Sequence, residues 1–279
     1  MPKVPFTAFF YGPAAVYPTS TGQQDPITGL PYLGTDFQQG NYAELSEQDA
    51  QVWNNQFSLT TPLSGGRFRI VGVAPNSNAL TANNPVGWAL GGSVKSVGFT
   101  AGTGYTGGTY TLTSTANTNQ VPAVVQVVVG AAGAIISAQV VQGGGPFITT
   151  AIPTFSLTAL GAGSGGAITA QLGVGYWVTS FDSTAVINTS LVRAIALTAV
   201  STAQAIAGAF IVVQESGIAP VLIGTATSTT AGAQVVGVTG GTANTQANAY
   251  SALEIGRALD APVAGEIIRV VLTLPDLPY

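Results

Sequence analysis

The chain has 279 residues, a net charge of −4, 46% hydrophobic but only 6% charged residues, and neither histidine nor cysteine. That composition excludes imidazole and thiolate chemistry, disulfide stapling and a basic footprint for nucleic acid. No run approaches roughly 18 consecutive apolar residues, so no transmembrane helix is predicted, and three Trp with irregular segment lengths argue against an outer-membrane barrel. So little charge implies a surface of Thr, Ser, Asn, Gln and Gly, much of it facing other protein.

Residues 1–53 read as an extended arm. Pro2, Pro5, Pro13, Pro18, Pro26 and Pro31 punctuate it, and Phe6, Phe9, Phe10, Tyr11, Tyr17, Tyr32, Phe37 and Tyr42 make it aromatic. A solvated tail is poor in aromatics. The arm is therefore expected to lie over its own body or over a neighbouring subunit. The opening, MPKVPFTAFFYGPAAVYP, lacks a clean apolar stretch followed by a small-residue cleavage site and reads as mature protein. Ser46 is a candidate N-cap for one helical turn within Leu45–Val52.

The body is expected to begin near Asn54, with strands at Phe57–Thr61 and Arg67–Val73. In the second, Arg67 and Arg69 share one face and Phe68 and Ile70 the other. Residues 74–89, rich in Asn and Pro, read as loop.

Residues 91–173 read as an insert. After Lys95 no Asp, Glu, Lys or Arg occurs until Asp182, and one unit is written twice, over Val94–Gly130 and Ile136–Gly173. Each copy runs from an apolar segment into a Gly-rich turn, Gly102-Thr103-Gly104 or Gly143-Gly144-Gly145. An aromatic follows, Tyr105 or Phe147. Then come a Thr/Ser-rich strand (Tyr110–Thr115, Phe155–Thr158) and a further apolar strand. Repeats of this length are units that bury a face against each other. With Gly102, Gly104, Tyr105 and Thr106, the first copy resembles a Gly-Tyr-Thr repeat module of tailed-phage virion proteins, tail fibres among them. The second departs from it at Gly143–Phe147. Tyr105, Tyr176 and Trp177 form either a sugar platform or packing within the repeats and at their junction with the body.

Beyond the insert, Leu191–Val200 is strand or short helix, Ala203–Gly208 a turn, and Phe210–Gln214, Ala219–Ile223, Gln234–Val238 and Ile267–Leu274 strands, with a polar loop over 240–248. Leu259, Ile268, Val270 and Leu272 are core candidates. The segments Phe210–Gly217, Ile255-Gly256-Arg257-Ala258-Leu259-Asp260, Ala264-Gly265-Glu266 and Ile268-Arg269-Val270-Val271-Leu272 resemble a family of capsid cement or decoration proteins of tailed-phage heads.

The sequence thus predicts an all-β protein. Its β-barrel or β-sandwich body comprises residues 54–90 and 174–279, with the duplicated β-rich module inserted at 91–173 and the arm at 1–53. No catalytic constellation, metal site or cofactor motif is found: the glycine runs lack the Lys-Ser/Thr of a phosphate loop, and the carboxylates sit in no telling pattern. The resemblance implies a non-enzymatic protein on the outer surface of the capsid, bound to the major capsid protein and to neighbouring copies, as in a trimer, without nucleic acid or membrane. Phe6, Phe9, Phe10, Tyr11, Arg257 and Arg269 are the expected interface residues. A tail fibre or tail-tip protein binding a host receptor or glycan is the alternative.

Overall fold

A computed structural model describes residues 42–57, 64–75, 77–89, 91–116, 120–147, 151–180, 192–206, 209–238, 242–246 and 254–274. They divide into two compact units, one made of 74–76 with 90–177 and the other of the remainder. Strand dominates both.

The first unit holds β1 (Tyr42–Leu45), α1 (Glu47–Phe57), β2 (Gly66–Val73) and β3 (Asn84–Trp88) before the chain passes into the second unit. The second unit carries β4 (Gly92–Thr103), β5 (Gly108–Thr113), β6 (Val124–Val129), β7 (Ile135–Gln142) and β8 (Ser164–Val174). On return follow β9 (Trp177–Ser180), β10 (Val192–Ala196), α2 (Thr202–Ile206), β11 (Phe210–Gln214), β12 (Ile218–Ala226), β13 (Gln234–Val238), β14 (Thr242–Gln246), β15 (Glu254–Ala258) and β16 (Ile267–Leu272).

The body is two barrels rather than one. In the first, β2, β11, β10, β3 and β9 lie side by side, and pairing of β9 with β2 closes the ring, with β1 added along β2. Its strands are apolar almost throughout because both of their faces are covered. Phe68 and Ile70 of β2 pack with Val212 of β11, Ala43 and Leu45 of β1, Leu197 and Ala50 of α1. Ser46 caps α1: its hydroxyl accepts from the Asp49 N–H at 3.1 Å and donates to the Asp49 carboxylate at 2.7 Å. The second barrel closes in the order β12, β14, β13, β15, β16. Ala219, Val221, Ile223, Val235, Ala243, Ile255, Ala258, Ile268, Val270 and Leu272 form its core, which Ile195 of β10 joins from the first barrel.

Several local expectations change. Phe57 ends a three-turn helix instead of opening a strand, and 58–61 lie outside the described residues. Of the stretch Ala203–Gly208, read as a turn, residues 203–206 belong to α2, and 207–208 lie outside the described residues. β3 lies in the stretch read as loop, and β14 in the polar loop over 240–248. Each completes a ring, and closing a barrel removes the exposed edges that an open sheet would leave. Phe155–Thr158 makes only isolated bridges before a 3-10 turn at Thr158–Leu160.

The second unit is built twice over. In one half β7 pairs with β6; in the other β4 pairs with β8. The registers match: Ser137 opposite Val128 and Gln139 opposite Gln126 repeat as Ser96 opposite Gln171 and Gly98 opposite Thr169. Thr111 of β5 faces Gln126, just as Thr154 bridges Thr169. Tyr105 donates its backbone N–H to the Gly133 carbonyl at 3.0 Å, and Phe147 donates its own to the Gly92 carbonyl at 2.8 Å. One core unites the halves, with Val94, Tyr105, Leu112, Val125 and Val127 from one copy and Ile135, Phe147, Phe155, Ile168 and Ala170 from the other or its flank.

The equivalent turn glycines are Gly102 and Gly144, one residue off the match of the two Gly-rich triplets. Both have left-handed backbone, φ 59° and 56°. A Cβ on Gly102 would lie 2.5 Å from the Gly166 nitrogen, and one on Gly144 2.4 Å from the Val121 carbonyl oxygen. Only glycine satisfies both the dihedral and the close approach.

Candidate functional site

Eight ionisable side chains of the body meet in four pairs. Glu44 and Arg67 stand 3.3 Å apart, Arg69 and Glu215 2.5 Å, Glu254 and Arg257 3.3 Å, and Asp260 and Arg269 2.6 Å. Among the described residues no three His, Cys, Asp or Glu come together as a metal site would require.

Arg69 is the outlier, its side chain 1% exposed against 10% for Glu215. The alternation read from the sequence holds, with Phe68 and Ile70 in one cluster and the arginines on the other face. That second face is covered too. Tyr42, opposite Arg69 across the β1–β2 pairing, lies beneath both guanidiniums, with the Arg67 and Arg69 carbons 5.1 and 5.5 Å from its ring centre. This cluster fastens the point where residues 1–41 join the body.

The hairpin of β15 and β16 forms the other concentration of charge. Asp260, in the connection, accepts from the Arg269 backbone N–H at 2.9 Å, from Nε at 3.1 and 3.2 Å and from a terminal guanidinium nitrogen at 2.6 Å. The side-chain hydrogen bond from Arg269, then the one from its backbone, hold the Asp260 carboxyl below its ordinary range. Asp260 in turn raises Arg269 above its already high value. Arg257 pairs with Glu254 three residues earlier and lies opposite Val271. Both arginines expected at an interface therefore share the outer side of one hairpin, and each already has an acidic partner.

Around them lies an apolar surface. β16 alternates, with Ile268, Val270 and Leu272 buried and Ile267, Arg269 and Val271 exposed. Leu259, expected in the core, is 41% exposed instead, because its N–H pairs with the Arg269 carbonyl at the strand end and turns its side chain out. Val263 and Ile267 are each 47% exposed, and Val271 36%. On neighbouring β12, half-buried Ile218 and Leu222 lie opposite Val271 and Ile267. The sequence named the buried face, Ile268, Val270 and Leu272, and the structure bears it out; what it missed is that the outward Ile267 and Val271 join Leu259 and Val263 in one apolar surface.

The module buries the aromatics singled out from its sequence. Tyr105, Tyr176 and Trp177 are 7%, 7% and 1% exposed, so none forms an exposed sugar platform. The Tyr105 hydroxyl accepts from the Gly166 N–H at 3.0 Å, and the Trp177 indole donates to Ser93 at 3.1 Å. The outer faces carry polar side chains, with Ser96 bonded to Gln171 and Gln139 to Gln126, each at 2.8 Å, alongside exposed Phe99, Ile136, Val141 and Ile152. Phe6, Phe9, Phe10 and Tyr11 lie outside the described residues.

No protein-family model matches the chain, and neither curated proteins nor solved structures give a match. The candidate site is a surface, the outer side of β15, β16 and β12.

Proposed function

We propose that this is a non-enzymatic structural virion protein, a decoration or cement protein that binds and stabilises an assembled phage capsid from outside. The observation that carries the reading is the C-terminal pattern. Its residues Ile255–Asp260 and Ala264–Leu272 form the β15–β16 hairpin, which exposes an apolar strip with paired charges on a closed barrel. A barrel leaves no sheet edge for uncontrolled pairing, so contact is confined to side-chain surfaces. A strip of this kind, rimmed by ion pairs, has the anatomy of a protein interface. The sparse charge of the whole chain supports the same reading, since a surface covered by neighbours needs little charge for solubility.

The mechanism is linkage. A protein that binds the assembled lattice and not its dissociated subunits stabilises the lattice by mass action, about 2.7 kcal/mol per site at a free concentration a hundred times Kd. Repetition over a symmetric shell multiplies modest contacts. In this account the major capsid protein is the partner and the arm clasps a neighbouring copy.

The test is the heat stability of undecorated heads, followed by genome or dye release with and without saturating protein. The proposal predicts a higher release temperature that saturates with added protein. Heads that release at an unchanged temperature under saturating protein would overturn the stabilising role.

A further inference from the structure

The exposed strip on the second barrel needs an occupant. Leu259, Val263, Ile267 and Val271 stand open together, and the register places Ile218 and Leu222 beside them. Its two arginines are paired with Asp260 and Glu254, and exposed Glu266 beside Ile267 leaves the face with a single negative charge in excess. An apolar surface with a slight negative excess selects an apolar, non-acidic occupant.

The chain carries such a segment. Phe6, Phe9, Phe10 and Tyr11 fall within six residues, and the first 20 residues contain Lys3 as their sole charged side chain. Pro2, Pro5 and Pro13 remove backbone donors and suit the segment to lie across a surface through its side chains instead of adding a strand. At about 3.3 Å per residue, residues 1–41 reach over 100 Å when extended.

Where this segment joins the body gives the direction. β1 runs from Tyr42, opposite Arg69, to Leu45, opposite Gly66. The Leu45 end is the one beside the strip: the Gly65 carbonyl accepts from Ile218 at 3.3 Å and the Gly217 carbonyl from Leu272 at 2.9 Å. The Tyr42 end, where residues 1–41 begin, points the opposite way. The junction of residues 1–41 with the body therefore lies at the end of β1 farther from the chain's own strip, which favours the strip of a second copy as the docking site.

We infer that the aromatic segment Phe6–Tyr11 of one copy docks on the β15–β16–β12 face of the next, so that successive copies clasp head to tail. Such a heterologous contact closes into a ring when the rotation between copies allows it. The inference rests on the cement reading for its setting, a lattice that brings copies together, but its geometry is the chain's own.

Because the natural chain has no cysteine, every introduced thiol is unique. Full-length Phe9→Cys protein and full-length, differently tagged Val263→Cys protein are mixed and oxidised, in solution and on undecorated heads. A disulfide-linked pair containing one of each is expected, with a yield that rises with concentration. In Val263→Cys protein, removal of residues 1–20 should speed alkylation of the thiol at least about tenfold, as expected for an exposed group losing a tight cover. If the double variant Phe9→Cys/Val263→Cys forms only a within-chain link at every concentration, the arm covers its own strip and the inference is overturned. It also fails if no link forms and deletion leaves the alkylation rate unchanged; the strip is then left to the capsid protein. Head binding of the same preparations is scored separately. Binding without the link removes the clasp alone, whereas the link without binding removes the capsid reading and leaves the clasp standing.

Discussion

Arg69 and Glu215 offer the sharpest energetic test of the body. Replacing Glu215 with Gln keeps the shape and one hydrogen-bonding oxygen but removes the charge facing a guanidinium that is 1% exposed. Breaking a buried pair from one side costs about 3–5 kcal/mol, because the remaining charge is left in a poor solvent. The Tyr42 ring, 5.5 Å away, offsets about 1 kcal/mol of this. A loss of about 3 kcal/mol is therefore expected, roughly a hundredfold in an opening equilibrium. Amide exchange read by mass spectrometry localises the effect. Peptides from β2 and β11 should exchange about a hundredfold faster, while those from β5, β6 and β7 keep their rates. The double variant Arg69→Met/Glu215→Leu should return to within about 1 kcal/mol of the natural chain, since an apolar pair of similar volume avoids the desolvation cost. If Glu215→Gln changed exchange in β2 and β11 by less than about threefold, the pair would not be holding the barrel as argued.

Other substitutions probe the module and the hairpin. Tyr105→Phe removes the acceptor for the Gly166 N–H and should cost about 1 kcal/mol in urea unfolding. Gly163→Ala should cost more, about 2–3 kcal/mol, because its Cβ would lie 2.2 Å from the Tyr105 ring. Gly256→Ala puts a methyl 1.9 Å from the Val271 carbonyl oxygen, a backbone atom that cannot swing aside; a loss of about 3 kcal/mol or more is expected, seen as rapid exchange across β15 and β16. The Asp260 carboxyl is held below its ordinary value of 3.8, so its stabilising effect is complete above that pH and is lost as pH falls through the lower folded value. Asp260→Asn should thus lower the melting temperature at pH 7 and converge with the natural chain in acid; a gap that persisted at about pH 2 would contradict this.

How much of this was legible in the sequence depends on what set each element. The duplication was, because a Gly-rich turn followed by an aromatic is a local signal, and Tyr105 and Phe147 occupy matching places in one core. The strands β2, β11, β13 and β16 were legible from short β-branched runs. β14, Thr-Ala-Asn-Thr-Gln, was not: it is polar by composition and becomes a strand because the barrel needs a partner between β12 and β13. Arg69 reads as an ordinary surface arginine, since its burial depends on Glu215, 146 residues later. The β1 arrangement over Tyr42 is equally non-local. On the candidate surface, Arg257, Arg269 and the inward face of β16 could be named from the sequence, but Leu259 was expected in the core, and the register was needed to place Ile218 and Leu222 of β12 beside the outward residues.

The most direct measurement of the central claim is cosedimentation of the purified protein with undecorated heads and, in parallel, with host cell envelopes. The account predicts saturable binding to heads at a copy number set by a lattice site, and none to envelopes. Binding to envelopes without binding to heads would contradict it and move the protein to the tail or the cell surface.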